Sequence, residues 1–383
     1  MQRRKFIKLS SYLSLFPLLA SSCDWVNHPI LFDVTFSSDM AAGHLIFQSN
    51  EWQKKKAEPL DYLIVGGGIA GLTAAQLLKD EKCLLFELSS QMGGSSASKE
   101  YKNTLFSQGA HYDWSYPATY GKEVLALFEK LQIIDFDEKE QFWNFIDKQY
   151  IIKGQEAQSF VNGKFHQEYL ERFDDFQTFF HIIKQYSNKM LLPTRLIDKE
   201  VQKLNNLSFL IFLQNNGLQA HPDFLKTLSY QLIDDYGAGV ETVSALAGIH
   251  YYLCRPYYSR EMELFSPPQG NAYFTEKLKT GVKEKVKTNH VVKKITNNED
   301  GFEVDVIDIK QKVIKQYQTK KVIYAGQKHA LQYILPGQHT RFKSTVYSPW
   351  VVVNIILKEP IDSKGIWQNE FRLNSDHFMG FVG

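Results

Sequence analysis

The sequence predicts an α/β fold, and residues 61–96 carry most of that reading. Three observations support it. An apolar, β-branched run, Tyr62–Val65, enters the turn Gly66-Gly67-Gly68-Ile69-Ala70-Gly71. An Ala/Leu-rich stretch with helical character follows, to about Lys79. A second apolar run, Cys83–Phe86, closes on Glu87. Strand, glycine turn, helix, strand and acid in that order form the βαβ unit that binds a dinucleotide.

Each residue type has a mechanical reason. Gly66 allows the tight turn, Gly68 lets the main chain approach a pyrophosphate, and Gly71 lets the helix pack close to the strand. Ile69 and Ala70 open that helix, whose free N–H groups and dipole favour negative charge. Glu87 stands 19 residues past Gly68 (87 − 68), where a carboxylate can accept ribose hydroxyls. An acid at this position, with no arginine beside it, argues against a 2′-phosphate and so against NADP.

Six residues past Glu87 comes a second glycine pair, Gly93-Gly94, followed by Ser95-Ser96, and farther on Phe106-Ser107-Gln108-Gly109-Ala110-His111. With these residues the sequence resembles the flavin-containing amine oxidase superfamily, which includes monoamine oxidases, protoporphyrinogen oxidases and phytoene-desaturase-like enzymes. The resemblance implies FAD, since ordinary NAD dehydrogenases lack the second pair. The physical reading agrees: FAD is longer than one βα turn can cover, so a second flexible stretch must pack against its phosphates and ribityl chain. Each charge-assisted hydrogen bond there is worth roughly 1.5–3 kcal/mol.

The resemblance continues at lower specificity over residues 60–330. Asp235-Tyr236-Gly237 and Ser244–Tyr252 look like a helix pair of the substrate half. Ser266–Asn271 looks like the P-x-G-N turn that returns the chain to the flavin domain, and His290-Val291-Val292 resembles the strand whose Val291 main chain contacts adenine. Val322–Ala325 resembles the strand closing the nucleotide domain. Family members end with a further flavin-binding segment. Residues up to Gly383 show none, so either the chain continues past Gly383, the reading favoured by the strand-like run Trp350–Leu357 of an unfinished sheet, or that cofactor contact is lost.

At 383 residues the chain can build about two domains with sizeable cores. The expected organisation is a signal at 1–22, an N-terminal arm at 23–58, a Rossmann-like FAD-binding domain in two parts (59–115 and 269–330), a helical substrate domain at 116–268 and its sheet at 331–383. Helices are read over 121–131, 173–187, 197–204, 208–213, 222–230 and 241–253, and from Tyr273. An inserted β-meander with a hairpin turn at Asn297–Gly301 is read over 283–325. The net charge of +2 excludes a strong field for nucleic acid. Lys54–Lys56 and the lysines at 283–294 read as solvated faces. The 14% aromatic content fits either an aromatic-lined cavity or a biased composition. Met40 and His44 lack partners at ligand spacing, so no metal site is expected.

Three cysteines do not make a disulfide framework. Cys83 should be buried and inert, and Cys254 has no obvious catalytic neighbour. Residues Gln2–Lys8 resemble a twin-arginine export signal, and Leu19–Cys23 resembles a lipoprotein cleavage box with Cys23 lipidated. That implies a periplasmic or lipid-anchored protein. A plain cleaved signal and an uncleaved anchor stay open.

In the function this implies, the flavin supplies the chemistry, hydride transfer from a C–N or C–C bond, and the protein supplies binding and orientation. The cofactor residues are Gly66, Gly68, Ile69, Ala70, Gly71, Glu87, Gly93, Gly94, Ser95, Gly109, Ala110 and Val291. Gln108–His111 would run near the flavin ring, and His111 can act as acid, base or hydrogen-bond donor. His250, Tyr251 and Arg255 either line a substrate cavity or stabilise their helix. The substrate class is an amine or apolar hydrogen donor. A flavin-binding partner without turnover and an NAD-dependent dehydrogenase are the competing functions.

Overall fold

The structure, a computed structural model, describes residues 39–48, 52–109, 120–153, 158–161, 164–167, 173–218, 221–254, 263–338, 340, 346–348 and 352–359. In chain order the strands are β1 (Lys54–Lys56), β2 (Leu60–Val65), β3 (Cys83–Phe86), β4 (Ser98–Tyr101), β5 (Thr104–Ser107), β6 (Ile134–Asp137), β7 (Phe142–Phe145), β8 (Ile151–Lys153), β9 (Gln158–Val161), β10 (Lys164–Gln167), β11 (Glu263–Phe265), β12 (Val286–Lys287), β13 (His290–Asn298), β14 (Gly301–Asp308) and β15 (Val313–Tyr324). The main helices are α1 (Ile69–Leu77), α2 (Lys122–Lys130), α3 (Asp175–Lys184), α4 (Phe209–Asn215), α5 (Pro222–Tyr236), α6 (Ala245–Leu253) and α7 (Ala272–Lys279). Residues 42–383 form one unit by their internal contacts; of the other, 1–41, only 39–41 are described.

A mixed sheet of order β12-β3-β2-β15-β14-β13 organises the α/β half, with β1 also beside β15. The first four strands run parallel. Strands buried on both faces read as continuous apolar runs, which is why β2 and β3 are so uniformly hydrophobic. Along β2, Ile64 packs on one face with Leu72 and Leu278, while Leu63 and Val65 pack on the other with Val304 and Tyr317. β15 joins two structures. Its residues 313–319 pair antiparallel with β14 in the meander, and Thr319–Tyr324 pair parallel with β2. The hairpin between β13 and β14 turns at Asn298–Gly301, as the sequence predicts.

The meander buries two carboxylates. Asp305 accepts from Lys54 Nζ at 2.7 Å and Gln316 Nε2 at 3.3 Å. Asp308 accepts from Lys315 Nζ and from the Gln311 N–H, both at 2.9 Å. Burial pushes the Asp308 carboxyl up, but the Gln311 N–H and the Lys315 and His290 charges outweigh it and hold it below the usual range.

Residues 23–58 read as an arm without periodicity, yet Lys54–Lys56 pair parallel with Ile314–Gln316. All three lysines are exposed, so the strand owes its existence to main-chain pairing and to the Lys54–Asp305 contact rather than to an apolar pattern. The predicted helical stretch 116–268 also contains small two-stranded sheets, β6 with β7, β8 with β11 and β9 with β10. Their strands of three or four residues are too short for a periodicity to show. Asp137 Oδ1 closes the first hairpin by accepting the N–H groups of Lys139 and Glu140, at 2.9 and 3.0 Å. The helix read over 197–204 is instead a 3₁₀ turn at Gln202–Asn206.

Helices α3 to α6 form a lobe with its own core, whereas α2 and α7 pack with the central sheet. Ser208 and Ser244 cap α4 and α6 by accepting the N–H groups of Ile211 and Ala247. Pro222 starts α5, and Gly237, left-handed at φ 65°, ends it. Phe179, Phe209, Phe224 and Tyr252 interlock here, with Phe179–Tyr252 centroids 4.9 Å apart at 89°. The aromatic residues of this lobe are its packing.

Helices α4 and α6 meet where Gly248 faces Phe209. A Cβ on Gly248 would lie 2.5 Å from the Phe209 ring. Gly248→Ala is expected to cost about 1–3 kcal/mol in urea unfolding, and less in a Phe209→Leu background where the ring is gone. Acid sensitivity gives a second test. The lowered Asp308 pKa means that its stabilisation is full above the unfolded carboxylate value and is lost as pH falls through the lower folded value. Asp308→Asn should therefore be less stable at neutral pH and lose less stability than the parent below about pH 4, as read by pH-resolved denaturation.

Candidate dinucleotide site

The site is built where main chain meets main chain. Gly66 sits at φ 100° directly after β2, and a Cβ there would be 3.0 Å from the Ala325 carbonyl, because Ala325-Gly326 crosses over the turn. The Ala325 N–H donates to Val65 O at 2.8 Å. A Cβ on Gly71 would collide with the Gly66 carbonyl oxygen. Both glycines are thus demanded by the fold itself. Gly68 differs: its φ of −76° suits any residue, and a Cβ there would make only ordinary contacts at 3.9–4.0 Å. Nothing in the described chain requires glycine at 68.

Helix α1 begins at Ile69 with Gly68 as its N-cap and no side chain capping it. Its first internal bond is from the Leu72 N–H to Gly68 O, so the N–H groups before it have no intrahelical acceptor. Ala70 is exposed at this end, while Ile69 packs inward towards the core.

The second glycine pair docks against the first. The Gly93 N–H donates to Gly67 O at 2.8 Å, and Gly68 and Gly93 form a parallel bridge. Gly93 (φ 126°) and Gly94 (φ 57°) both take left-handed conformations. A Cβ on Gly94 would press to 3.2 Å from Gly68 Cα. Gly94 and Ser95 are exposed, as is Ala70 two residues past Gly68, and Gly109 comes back to the second loop, its Cβ position 3.7 Å from Ser95 O. Gly68, Ala70, Gly94, Ser95 and Gly109 therefore share one small area. Ala110, His111 and Arg255, like Cys23 and the signal-like residues 1–22, lie outside the described residues.

Glu87 is buried and faces this loop. Its carboxylate accepts the Gly67 N–H at 2.5 Å on one oxygen and the Ser89 N–H at 2.7 Å on the other. The sequence assigns Glu87 only to a ribose; the structure adds that the acid ties the glycine turn to the segment after β3. Val291 lies one residue past His290, whose N–H donates to Glu87 O at 2.9 Å, so its main chain borders the acid. Its side chain points away, packing with Ile307 and Ile314 under Leu45, Ile46 and Trp52.

Two supports of the site escape a reading of the sequence. Gln76, buried in α1, donates through Nε2 to Leu278 O at 2.8 Å and Thr280 O at 2.5 Å, binding α1 to the end of α7. Thr275 Oγ1, which donates to Ala272 O at 3.0 Å, also lies 3.5 Å from Ser96 O behind the second glycine loop. Tyr324, at the end of β15, donates to Gln327 O at 2.8 Å. Burial, with a smaller contribution from Tyr347, pushes its phenol up to about 12, so this donor persists across neutral pH.

Cys83 is buried, with burial raising its thiol, as an inert residue should be. Cys254 does have a neighbour: His250 Nε2 lies 3.5 Å from its Sγ, and the i, i+4 spacing on a helix is the signal that reveals it. Burial lowers the His250 pKa, which favours the neutral ring beside the thiol. Tyr251 is buried in the helical core.

The two kinds of glycine separate experimentally. Gly71→Ala should prevent folding. Gly68→Ala should leave the unfolding midpoint within about 1 kcal/mol of the parent while weakening dinucleotide binding at least about tenfold, measured by calorimetric titration.

Comparison with known proteins agrees with this geometry. The family described as NAD(P)-binding Rossmann-like domain matches residues 64–131. No curated protein matches the chain in sequence. Among solved structures, putrescine oxidase bound to putrescine is similar with a TM-score of 0.51 and 14% identity, over 72% of this chain and 60% of that one. The CLA-producing fatty acid isomerase from P. acnes gives 0.52 and 13%, over 74% and 62%. Cyclohexylamine oxidase from Brevibacterium oxydans IH-35A gives 0.50 and 12%, over 73% and 60%. The chain spans about 60% of the length of these structures. It has their fold: an α/β architecture around a parallel-rich sheet with a Rossmann-like dinucleotide-binding domain.

Proposed function

We propose that the chain holds FAD and forms the cofactor-binding part of an oxidoreductase of amine oxidase type, acting on a small amine or apolar hydrogen donor. One observation carries the reading: two glycine loops, 26 residues apart in sequence (93 − 67), are joined by the Gly93–Gly67 hydrogen bond and open onto the same exposed area. A single βα turn suffices for a short phosphate; the doubled loop suits a longer dinucleotide.

The residues fit such a group. The main chain at Gly68–Ala70 and the α1 dipole would hold the pyrophosphate, and Gly94-Ser95 would flank it. A carboxylate oxygen has two acceptor sites, so Glu87 can serve the turn and a ribose hydroxyl together. When bound, FAD supplies hydride acceptance and passes the electrons on to an acceptor. The chain orients it and keeps the Gly66–Gly71 turn rigid through Ala325, Glu87 and Gly93. Putrescine oxidase and cyclohexylamine oxidase, by their names, support an amine as the donor, whereas the fatty acid isomerase shows that the fold also hosts other chemistry.

The visible spectrum of the purified protein tests this. Flavin absorbance is expected, and it should bleach when amines are added anaerobically. Bound flavin that no amine or polyene reduces would favour a non-catalytic partner. Absence of flavin together with NAD binding would favour a dehydrogenase, the reading to which the matched domain description also points.

A further inference from the structure

A buried polar cluster lies against the acid strand. His290 opens β13, and its main-chain N–H donates to Glu87 O while the Asn289 N–H donates to Ser89 O, both at 2.9 Å. The turn Thr288–His290 thus holds the segment whose Ser89 amide grips Glu87 Oε1. The His290 ring turns inward, 5.7 Å from Phe86. Its Nδ1 is 2.7 Å from Thr288 O and its Nε2 is 3.3 Å from Asp308 Oδ2. The side chains of His290 and Asp308 are 12% and 4% exposed. Of the ionisable groups nearby, Asp308 on β14 contacts the ring; Lys315 and Tyr317 on β15 act on Asp308, and Glu87 after β3 meets the His290 main chain through its carbonyl.

A neutral imidazole carries one N–H and one lone pair. Between a carbonyl and a carboxylate, either neutral tautomer aims its lone pair at an acceptor, whereas the imidazolium donates to both. We propose that His290 is a positioning residue of the dinucleotide site: its imidazolium form bridges Thr288 O and Asp308, fixes the turn that clamps Glu87–Ser89, and thereby raises dinucleotide affinity. The inference rests on the dinucleotide reading of the glycine loops. A ligand that needs the clamped acid binds the form with the charged ring better, so affinity falls once the ring gives up its second proton.

The test is FAD titration of the full chain at a series of pH values between about 5.5 and 8.5, with the protonation of the ring followed in the same samples. The parent protein should lose about three- to tenfold in affinity over that window. His290→Gln should bind FAD at the weaker level throughout, without the slope. Asp308→Asn, whose amide can donate as well as accept, should satisfy the neutral ring and flatten the slope even if His290→Gln fails to fold. The ¹⁵N shifts of the His290 ring in the FAD-free protein should titrate in step with the affinity. Tight FAD binding with no slope, or with a slope that survives in either variant, overturns this role alone. A protein that binds FAD at no pH overturns it together with the cofactor reading.

Discussion

The architecture depends on main chain lying against main chain at the end of the first parallel strand. There the Gly66 carbonyl occupies the space where a Gly71 side chain would be, and the Ala325–Gly326 peptide covers Gly66 from the opposite side. Side chains cannot enter such a crossing, so the helix start is fixed by three backbones rather than by packing of flexible groups. That rigidity matters for holding a charged ligand. Amides already aimed outward need no reordering when it arrives, and ordering is a large cost of most binding events. Glu87 extends the same logic, because its carboxylate closes the turn from within.

The α/β core is legible because its signals are local and strong. A glycine turn between two apolar runs, ending on an acid, has few other uses, and the hairpin at Asn298–Gly301 is marked by its own residues. The second glycine pair is legible for the same reason, since glycine in quick succession announces backbone that must go where side chains cannot. What stays hidden is whatever depends on partners far away in the chain. Lys54–Lys56 become a strand only because β15 offers an edge, and no property of three lysines says so. Gln76 looks like any helix glutamine until α7 arrives some 200 residues later. Glu87 reads as a ribose ligand because the sequence cannot show that Ser89 and Gly67 also reach it. Short strands such as β6 and β7 defeat periodicity, since four residues give too few repeats to separate period two from the helical period.

The helical lobe poses a different problem. Its helices are readable from caps and apolar spacing, but the aromatic content fits an aromatic-lined cavity or a biased composition alike and does not say where the rings sit. The rings settle it by touching one another: Phe179 meets Phe209, Phe224 and Tyr252 edge-on, and Gly248 gives way so that Phe209 can lie close to α6. Composition alone carries no information about neighbours, and neighbours are what separate a packed ring from one that lines a space.

The Gln76 and Thr275 contacts have a topological consequence. The chain leaves the nucleotide half just after Ser96 and, once back, sets Thr275 behind that same residue, while Gln76 ties the two flanking helices together. The long excursion between them therefore starts and finishes at one anchored seam. Closing a wider loop adds little entropy once its ends are fixed, because the penalty grows only with the logarithm of length. The excursion's lobe of α3 to α6, which has a core of its own, can change length at little entropic cost, whereas Phe128, Ile134, Phe145 and Phe265 share the core of the sheet and tie the rest of the excursion to it.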